Sequence, residues 1–206
     1  TAVDISAGKN LVGAFHQPAL VYLDTDTLGT LDHAVLRDGF AEVIKYGIIL
    51  DSKLFDTVAV PESFNLTKVI ARCIEIKHDV VEQDEFDKGL RGLLNFGHTF
   101  GHAIEKLSGF TITHGSAVAR GMIIAAKVAR VYGFTDYTEV ITKVVKDYGF
   151  ETGCPFKADK LYSVILSDKK RSGADITLVL PKEIGACTLE KMPAGQVLEL
   201  MKKAGL

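Results

Sequence analysis

Apolar residues recur every three or four positions along most of this chain, and that spacing predicts helices. One runs from Leu31 to about Leu50, with Arg37, Glu42 and Lys45 among its few polar positions. A second is capped by Asn65 and reaches about Glu82. Leu66, Val69, Ile70, Cys73, Ile76 and Val80 form its stripe, and Lys77 falls on the stripe's edge. The stretch Arg91 to Gly115, RGLLNFGHTFGHAIEKLSGFTITHG, predicts a helix carrying Gly97, His98, Gly101 and His102 that ends at Ser108-Gly109. Ser116 to Tyr132 is apolar nearly all round, as in a helix at the centre of a helical domain, and Gly133 stops it. Thr138 to Tyr148 and Ala158 to Asp168 are amphipathic, and Gln196 to Lys203 closes the chain as helix.

Strand signals are few. Ala19 to Leu23 (ALVYL) predicts one lone strand, and Ile176 to Leu180 with Ala186 to Leu189 predicts a hairpin across Pro181 to Gly185. Residues 1–18 read as a glycine-bearing loop closed by Pro18, and Asp84 to Gly89 as a polar loop. The fold class expected is mainly α: a single multihelical domain over residues 1–206 with a short strand and one β-hairpin.

Composition narrows the partners. The 206 residues are 47% hydrophobic and 24% charged with net charge −2, so no basic surplus suggests nucleic acid. The richest apolar run, Ala117 to Val131, is interrupted by Arg120, Gly121, Lys127 and Arg130, short of the roughly 20 residues that cross a bilayer. Cys73, Cys154 and Cys187 form no C-x-x-C pair and no signal peptide is visible; the expectation is a reduced, cytoplasmic chain without disulfides. It opens on Thr1 with TAVDISAGKN, which carries neither helix cap nor strand onset and reads as cut from something longer.

The candidate chemistry centres on histidine. His98 and His102 lie four apart, one turn along one helical face, and His114 follows the break. Two readings stand side by side: a metal or catalytic cluster, or polar residues satisfied in a helical core. The H-x-x-x-H spacing lacks the Glu of the metalloprotease motif. Two glycines on such a helix cost about 1 kcal/mol each, which makes sense where backbone or ligand approaches closely. Glu42 stands three before Lys45 and is flanked by Phe40, Ala41, Val43, Ile44 and Tyr46, so a surface ion pair or a buried carboxylate with a cation partner both fit. Neither G-x-G-x-x-G after a strand nor a P-loop occurs.

Five stretches together resemble the 3-dehydroquinate synthase family. They are GKNLVGAFHQP (8–18), LRDGFAEVIKYG (36–47), RGLLNFGHTFGHAIE (91–105), HGSAVARGM (114–122) and DKKRSGADITLVLPKEIG (168–185). The resemblance implies a two-domain, homodimeric, NAD- and zinc- or cobalt-dependent enzyme. This chain would be its helical metal- and substrate-binding half, with residues 1–18 the connection from a missing nucleotide-binding domain.

The family pattern implies metal ligands at Glu42, His98 and His114 rather than a His98–His102 pair. His102 matches a histidine on the substrate phosphate, and Lys45 a hydroxyl contact near the metal. Lys77 and Arg91 match the pair that holds the substrate carboxylate. Asn10, Asn95 and Lys170, favoured over Lys169, match phosphate or hydroxyl contacts. Lys9 and the turn Thr27, Leu28, Gly29, Thr30 match residues bordering NAD. Asp87 stands where the family usually has a glutamate proposed for proton transfer. The implied substrate is a phosphorylated sugar acid, 3-deoxy-D-arabino-heptulosonate 7-phosphate. Rival readings are another sugar-phosphate cyclase or metal polyol dehydrogenase of the same fold, or a catalytically silent helical module. Lys77, Arg91 and Asn95 weigh against the dehydrogenase, since a polyol has no carboxylate to hold.

Overall fold

The structure is a computed structural model, and it describes residues 2–5, 8–169 and 175–206. The helices are α1 (His33–Leu50), α2 (Ser52–Val58), α3 (Leu66–Gln83), α4 (His98–Leu107), α5 (His114–Tyr132), α6 (Thr138–Asp147), α7 (Ala158–Lys169) and α8 (Ala194–Lys203). Two 3-10 helices, Thr25–Thr30 and Leu90–Asn95, precede α1 and α4. Strands β1 (Ala2–Ile5) and β2 (Gly8–Gly13) form one antiparallel pair; β3 (Asp175–Glu183) and β4 (Ala186–Pro193) form another.

The all-round apolar helix α5 is the axis of the fold. Ala117, Val118, Ala119, Met122 and Val128 are fully buried. It packs against α1, α4, α6, α8 and β3. The ladder of β3 and β4 pairs Ile176 with Met192 and Leu180 with Thr188, and buries Ile176, Leu178 and Leu180. At the turn, Gly185 at φ +92° donates its amide to Ile48 O at 2.9 Å, tying the hairpin to α1.

The glycines of the histidine helix find their reason here. Gly97 is the cap before α4, with φ +77°, a conformation that suits glycine. An added Cβ at Gly101 would meet Val118 Cα at 3.1 Å, and one at Gly121 would collide with Gly97 O. Backbone therefore rides on backbone where α4 crosses α5.

Three local expectations are corrected. Residues 1–18 contain the antiparallel β1–β2 pair rather than only loop. The run Ala19 to Leu23 forms no strand; Leu20 is 81% and Tyr22 83% exposed, and among the described residues no neighbour completes a ladder there. Strand propensity alone does not pair a backbone. The helix expected from Ser116 begins earlier, so that His114 opens α5.

Gly121→Ala tests the helix crossing. Overpacking backbone against backbone is expected to cost about 1–3 kcal/mol or more, read as a lower urea midpoint at unchanged slope. An unchanged midpoint would show that α4 and α5 do not touch there.

Candidate metal and substrate site

Three helices bring the chain's chemistry to one point. Glu42 comes from the middle of α1, His98 is the first residue of α4, and His114 is the first of α5. Their ligand atoms all lie within 4.8 Å of one another. Glu42 Oε1 is 3.4 Å from His98 Nε2 and 3.5 Å from His114 Nε2. Those are long for hydrogen bonds, and the buried Oε1 has no hydrogen-bond partner.

Each group is oriented from behind. Lys45, 3% exposed, donates from Nζ to the other carboxylate oxygen, Glu42 Oε2, at 2.6 Å. His98 Nδ1 lies 3.1 Å from Phe96 O. A carbonyl only accepts, so Nδ1 carries a proton, which leaves Nε2 as the ring nitrogen turned to the centre. His114 Nδ1 lies 3.2 Å from Glu105 Oε2. The start of α5 is fixed by Asp38, which accepts from Thr113 Oγ1 at 2.8 Å and from the Gly115 amide at 3.2 Å.

Burial works against ionisation of Glu42, but the imidazoles of His114 and His98 and the charge on Lys45 outweigh it and hold the carboxyl well below the usual range. Burial pulls the Lys45 ammonium down, against the opposing pull of Glu42. Glu105, then Glu42, raises His114 to about 9 despite desolvation.

The donor set fits a divalent ion. Two imidazole nitrogens and a carboxylate oxygen suit zinc or cobalt. Ligand atoms about 2.1 Å from a tetrahedral ion stand roughly 3.4 Å apart, close to the separations from Oε1. Nε2 of His98 and Oε1 of Glu42 face each other without a hydrogen bond of ordinary length, and a cation between them would satisfy both.

A cleft of about 370 Å³ opens beside this point. Asp87 and Lys88 line it from the loop before the second 3-10 helix, Asn95 from that helix, His98 and His102 from α4, and Leu189 from β4. Asp84 builds the loop by accepting from the amides of Lys88, Gly89 and Arg91 at 2.8, 2.7 and 3.0 Å. Asp87 adopts φ +54°, which Asp tolerates better than most residues.

So Glu42, Lys45, His98, His102 and His114 cluster, and Asp87 and Asn95 share the cleft with His98 and His102. Lys77 is exposed on α3 and close enough for its charge to act on Lys45. The Arg91 guanidinium donates to Glu85 O at 2.8 Å and stacks over Phe15 at 5.6 Å; neither Lys77 nor Arg91 lines the cleft. Thr27, Leu28, Gly29 and Thr30 form the first 3-10 helix, where Thr27 and Thr30 give their hydroxyls to the backbone, and none of the four lines the cleft. Lys9 and Asn10 lie on β2, but their side chains, and the whole of Lys170, fall outside the described residues. Sequence reading named neither Asp38 nor Glu105 as a site residue. A signal for Glu105 existed: with His98 and His102 it completes an i, i+4, i+7 face of α4.

Solved structures share this architecture. One is a 2-epi-5-epi-valiolone synthase from Streptomyces hygroscopicus subsp. jinggangensis 5008 with NAD+ and Zn2+ bound. It has a TM-score of 0.83 at 22% identity, covering 99% of this chain and 60% of that one, a likeness of fold. Another is a 2-deoxy-scyllo-inosose synthase complexed with carbaglucose-6-phosphate, NAD+ and Co2+, at TM-score 0.81 and 25% identity, covering 98% of this chain and 60% of that one.

Sequence narrows the class. Residues 39–171 match the family model for the 3-dehydroquinate synthase C-terminal part, and residues 1–38 the one for its N-terminal part. The 3-dehydroquinate synthase of Pelobacter propionicus is 40% identical over 211 residues, covering 97% of this chain and 59% of the relative. That of Clostridium acetobutylicum is 41% identical over 213 residues, covering 98% and 59%. The chain belongs to the 3-dehydroquinate synthase family, and it spans about 60% of the length of these relatives.

The raised proton affinity of His114 has a measurable consequence. Its ordinary value is 6.5 and its folded value about 9, so in the metal-free chain its contribution to stability is complete below about 6.5 and is lost as pH rises through about 9. Thermal melts in chelator across that window are expected to fall more steeply for the wild type than for His114→Gln. Parallel curves would show that His114 is not charged in the folded chain.

Proposed function

We propose that this chain is the metal- and substrate-binding part of a 3-dehydroquinate synthase, forming 3-dehydroquinate and phosphate from 3-deoxy-D-arabino-heptulosonate 7-phosphate. One observation carries the reading: Glu42, His98 and His114 converge around a buried, unpartnered carboxylate oxygen beside a cleft bearing Asn95 and His102. The family match and the metal-bound neighbours support it.

Glu42, His98 and His114 hold the divalent ion, and residues 1–18 lead in from a nucleotide-binding domain. Bound zinc or cobalt supplies Lewis acidity to a substrate hydroxyl, and NAD supplies a reversible hydride acceptor. Lys45 fixes one Glu42 oxygen, leaving the other to the centre, and offers its ammonium to a neighbouring substrate hydroxyl. His102 and Asn95 face the cleft, where an imidazole and an amide can donate to phosphate or hydroxyl oxygens. The family resemblance assigns Lys170 and Asn10 to phosphate or hydroxyl contacts. Arg91 has five N–H donors, and its bond to Glu85 O leaves enough for a bidentate grip on the substrate carboxylate, with Lys77 as a second positive charge. The family resemblance assigns Lys9 and Thr27 to Thr30 to the border of NAD. The substrate's own phosphate serves as base in its elimination. Asp87 sits at the cleft edge, where it can exchange a proton with substrate despite being one methylene shorter than glutamate. Holding both anionic ends orients the ring, which can be worth several kcal/mol.

The dialysed chain is expected to retain about one zinc or cobalt ion, and His114→Ala to lose it. Equal metal content in both proteins would remove these ligands. Protons compete for the imidazoles, so occupancy is expected to fall with pH below about 9, where His114 begins to protonate.

The chain has no glycine-rich dinucleotide unit, so by itself it is expected to form no dehydroquinate. Joined to the N-terminal part of the Pelobacter propionicus relative and supplied with NAD and zinc, it is expected to turn over the heptulosonate phosphate but not glucose 6-phosphate, which has no carboxylate. Arg91→Ala in that fusion is expected to lose more than about tenfold in kcat/KM. Turnover by the isolated chain would misplace the cofactor site. Full activity of Arg91→Ala, or equal use of glucose 6-phosphate, would overturn the carboxylate grip.

A further inference from the structure

We propose that Glu105 is a positioning residue of the metal centre, accepting a hydrogen bond from His114 Nδ1 so that Nε2 of the same ring is turned, unprotonated, toward the ion beside Glu42. The inference rests on the metal reading above.

Glu105 is one of two charged residues buried among the described residues, at 4% exposure; the other is Lys45. A buried carboxylate needs a donor, and the His114 ring supplies one at 3.2 Å. The local fold fixes this meeting. At the end of α4 the Phe110 amide donates to Glu105 O at 2.9 Å and the Gly109 amide to Lys106 O at 3.2 Å, a paired closure around Gly109 at φ +63°. Ser108 Oγ adds a third bond, to Glu105 O at 2.8 Å. The closed turn sends the chain back, so that the first residue of α5 lies against the last turn of α4. Asp38 pins that residue's neighbours, Thr113 and Gly115. His114 is thus held between two carboxylates, Nδ1 toward Glu105 and Nε2 toward Glu42. Carboxylates behind metal-bound histidines set the tautomer and raise ligand basicity.

The structure also offers a competing arrangement. His102, Glu105 and His114 have ligand atoms within 4.8 Å of one another. An ion held there would take the His114 nitrogen that faces Glu105, whereas an ion beside Glu42 takes the opposite one. A singly protonated imidazole satisfies only one of these. The unpartnered Glu42 Oε1 favours the second.

The test uses zinc with the wild-type chain, His114→Ala and Glu105→Gln. Glu105→Gln keeps the shape but can present an amide N–H to Nδ1, which would move the ring proton to Nε2. Competition with a chromophoric chelator is expected to show zinc affinity about 10- to 100-fold weaker in Glu105→Gln, and the cobalt form to show an altered visible spectrum. In the wild type with zinc, nitrogen-15 spectra are expected to show His114 coordinated through Nε2 with a retained Nδ1 proton. Zinc affinity of Glu105→Gln within twofold of wild type, or coordination through Nδ1, would overturn the proposal while leaving the metal reading intact. Absence of zinc binding by the wild type would remove both. Should Glu105→Gln fail to fold in chelator, the wild-type nitrogen spectra alone decide.

Discussion

Everything at the candidate centre depends on how closely α4 lies on α5. Helices with ordinary side chains at their crossing stay about 8–10 Å apart. Gly97, Gly101 and Gly121 remove the side chains that would keep these two there, and the first residues of both helices come to the same place. Those residues are His98 and His114, whose rings stand 5.2 Å apart. Gly101 and Gly121, which would weaken each helix as an isolated unit, and the capping Gly97 are therefore what assembles the site. Their propensity cost is offset by the burial of Val118 and Met122 along the same seam.

Placing histidines at helix starts has an electrostatic consequence. The positive end of a helix disfavours imidazolium. Around His114 the two carboxylates win, and its proton affinity rises. An ion therefore has to displace a proton from His114, but it gains a ligand made more basic by Glu105. Glu42 is managed differently: Lys45 saturates one oxygen, so the remaining negative charge has a single direction in which to be neutralised.

Periodicity made the helical part of the fold legible, because α1, α3, α5, α6 and α7 each bury a stripe or a full circumference. The β3–β4 hairpin was legible from its two apolar runs and turn residues, although the ladder runs on through Pro181 to Glu183. The site was not. On helical spacing His98 and His102 form the natural pair, and their rings are indeed 5.3 Å apart. But nothing in spacing shows that α1 delivers Glu42 across 56 residues, or that His114 opens a helix. Only the motif resemblance pointed to those three together, and it did so without the glycine seam or the buried Glu105.

The first 38 residues show where local pattern runs out. Val3, Val12, Phe15, Leu20, Val21, Tyr22, Leu23, Leu31 and Val35 all stand exposed, and this stretch is the one that matches the N-terminal family model. From residue 39 onward the large apolar side chains are mostly buried. ALVYL has the composition of a strand, and composition sets only how well a side chain suits a pleated, half-buried surface. Without a neighbouring backbone the amides gain nothing from extension, and the segment stays irregular. The histidine stretch differs because its partner, α5, lies within the same continuous run of chain. A six-residue turn closes it at little entropic cost, so the geometry around His114 is encoded locally, while the conformation of residues 19–23 is not.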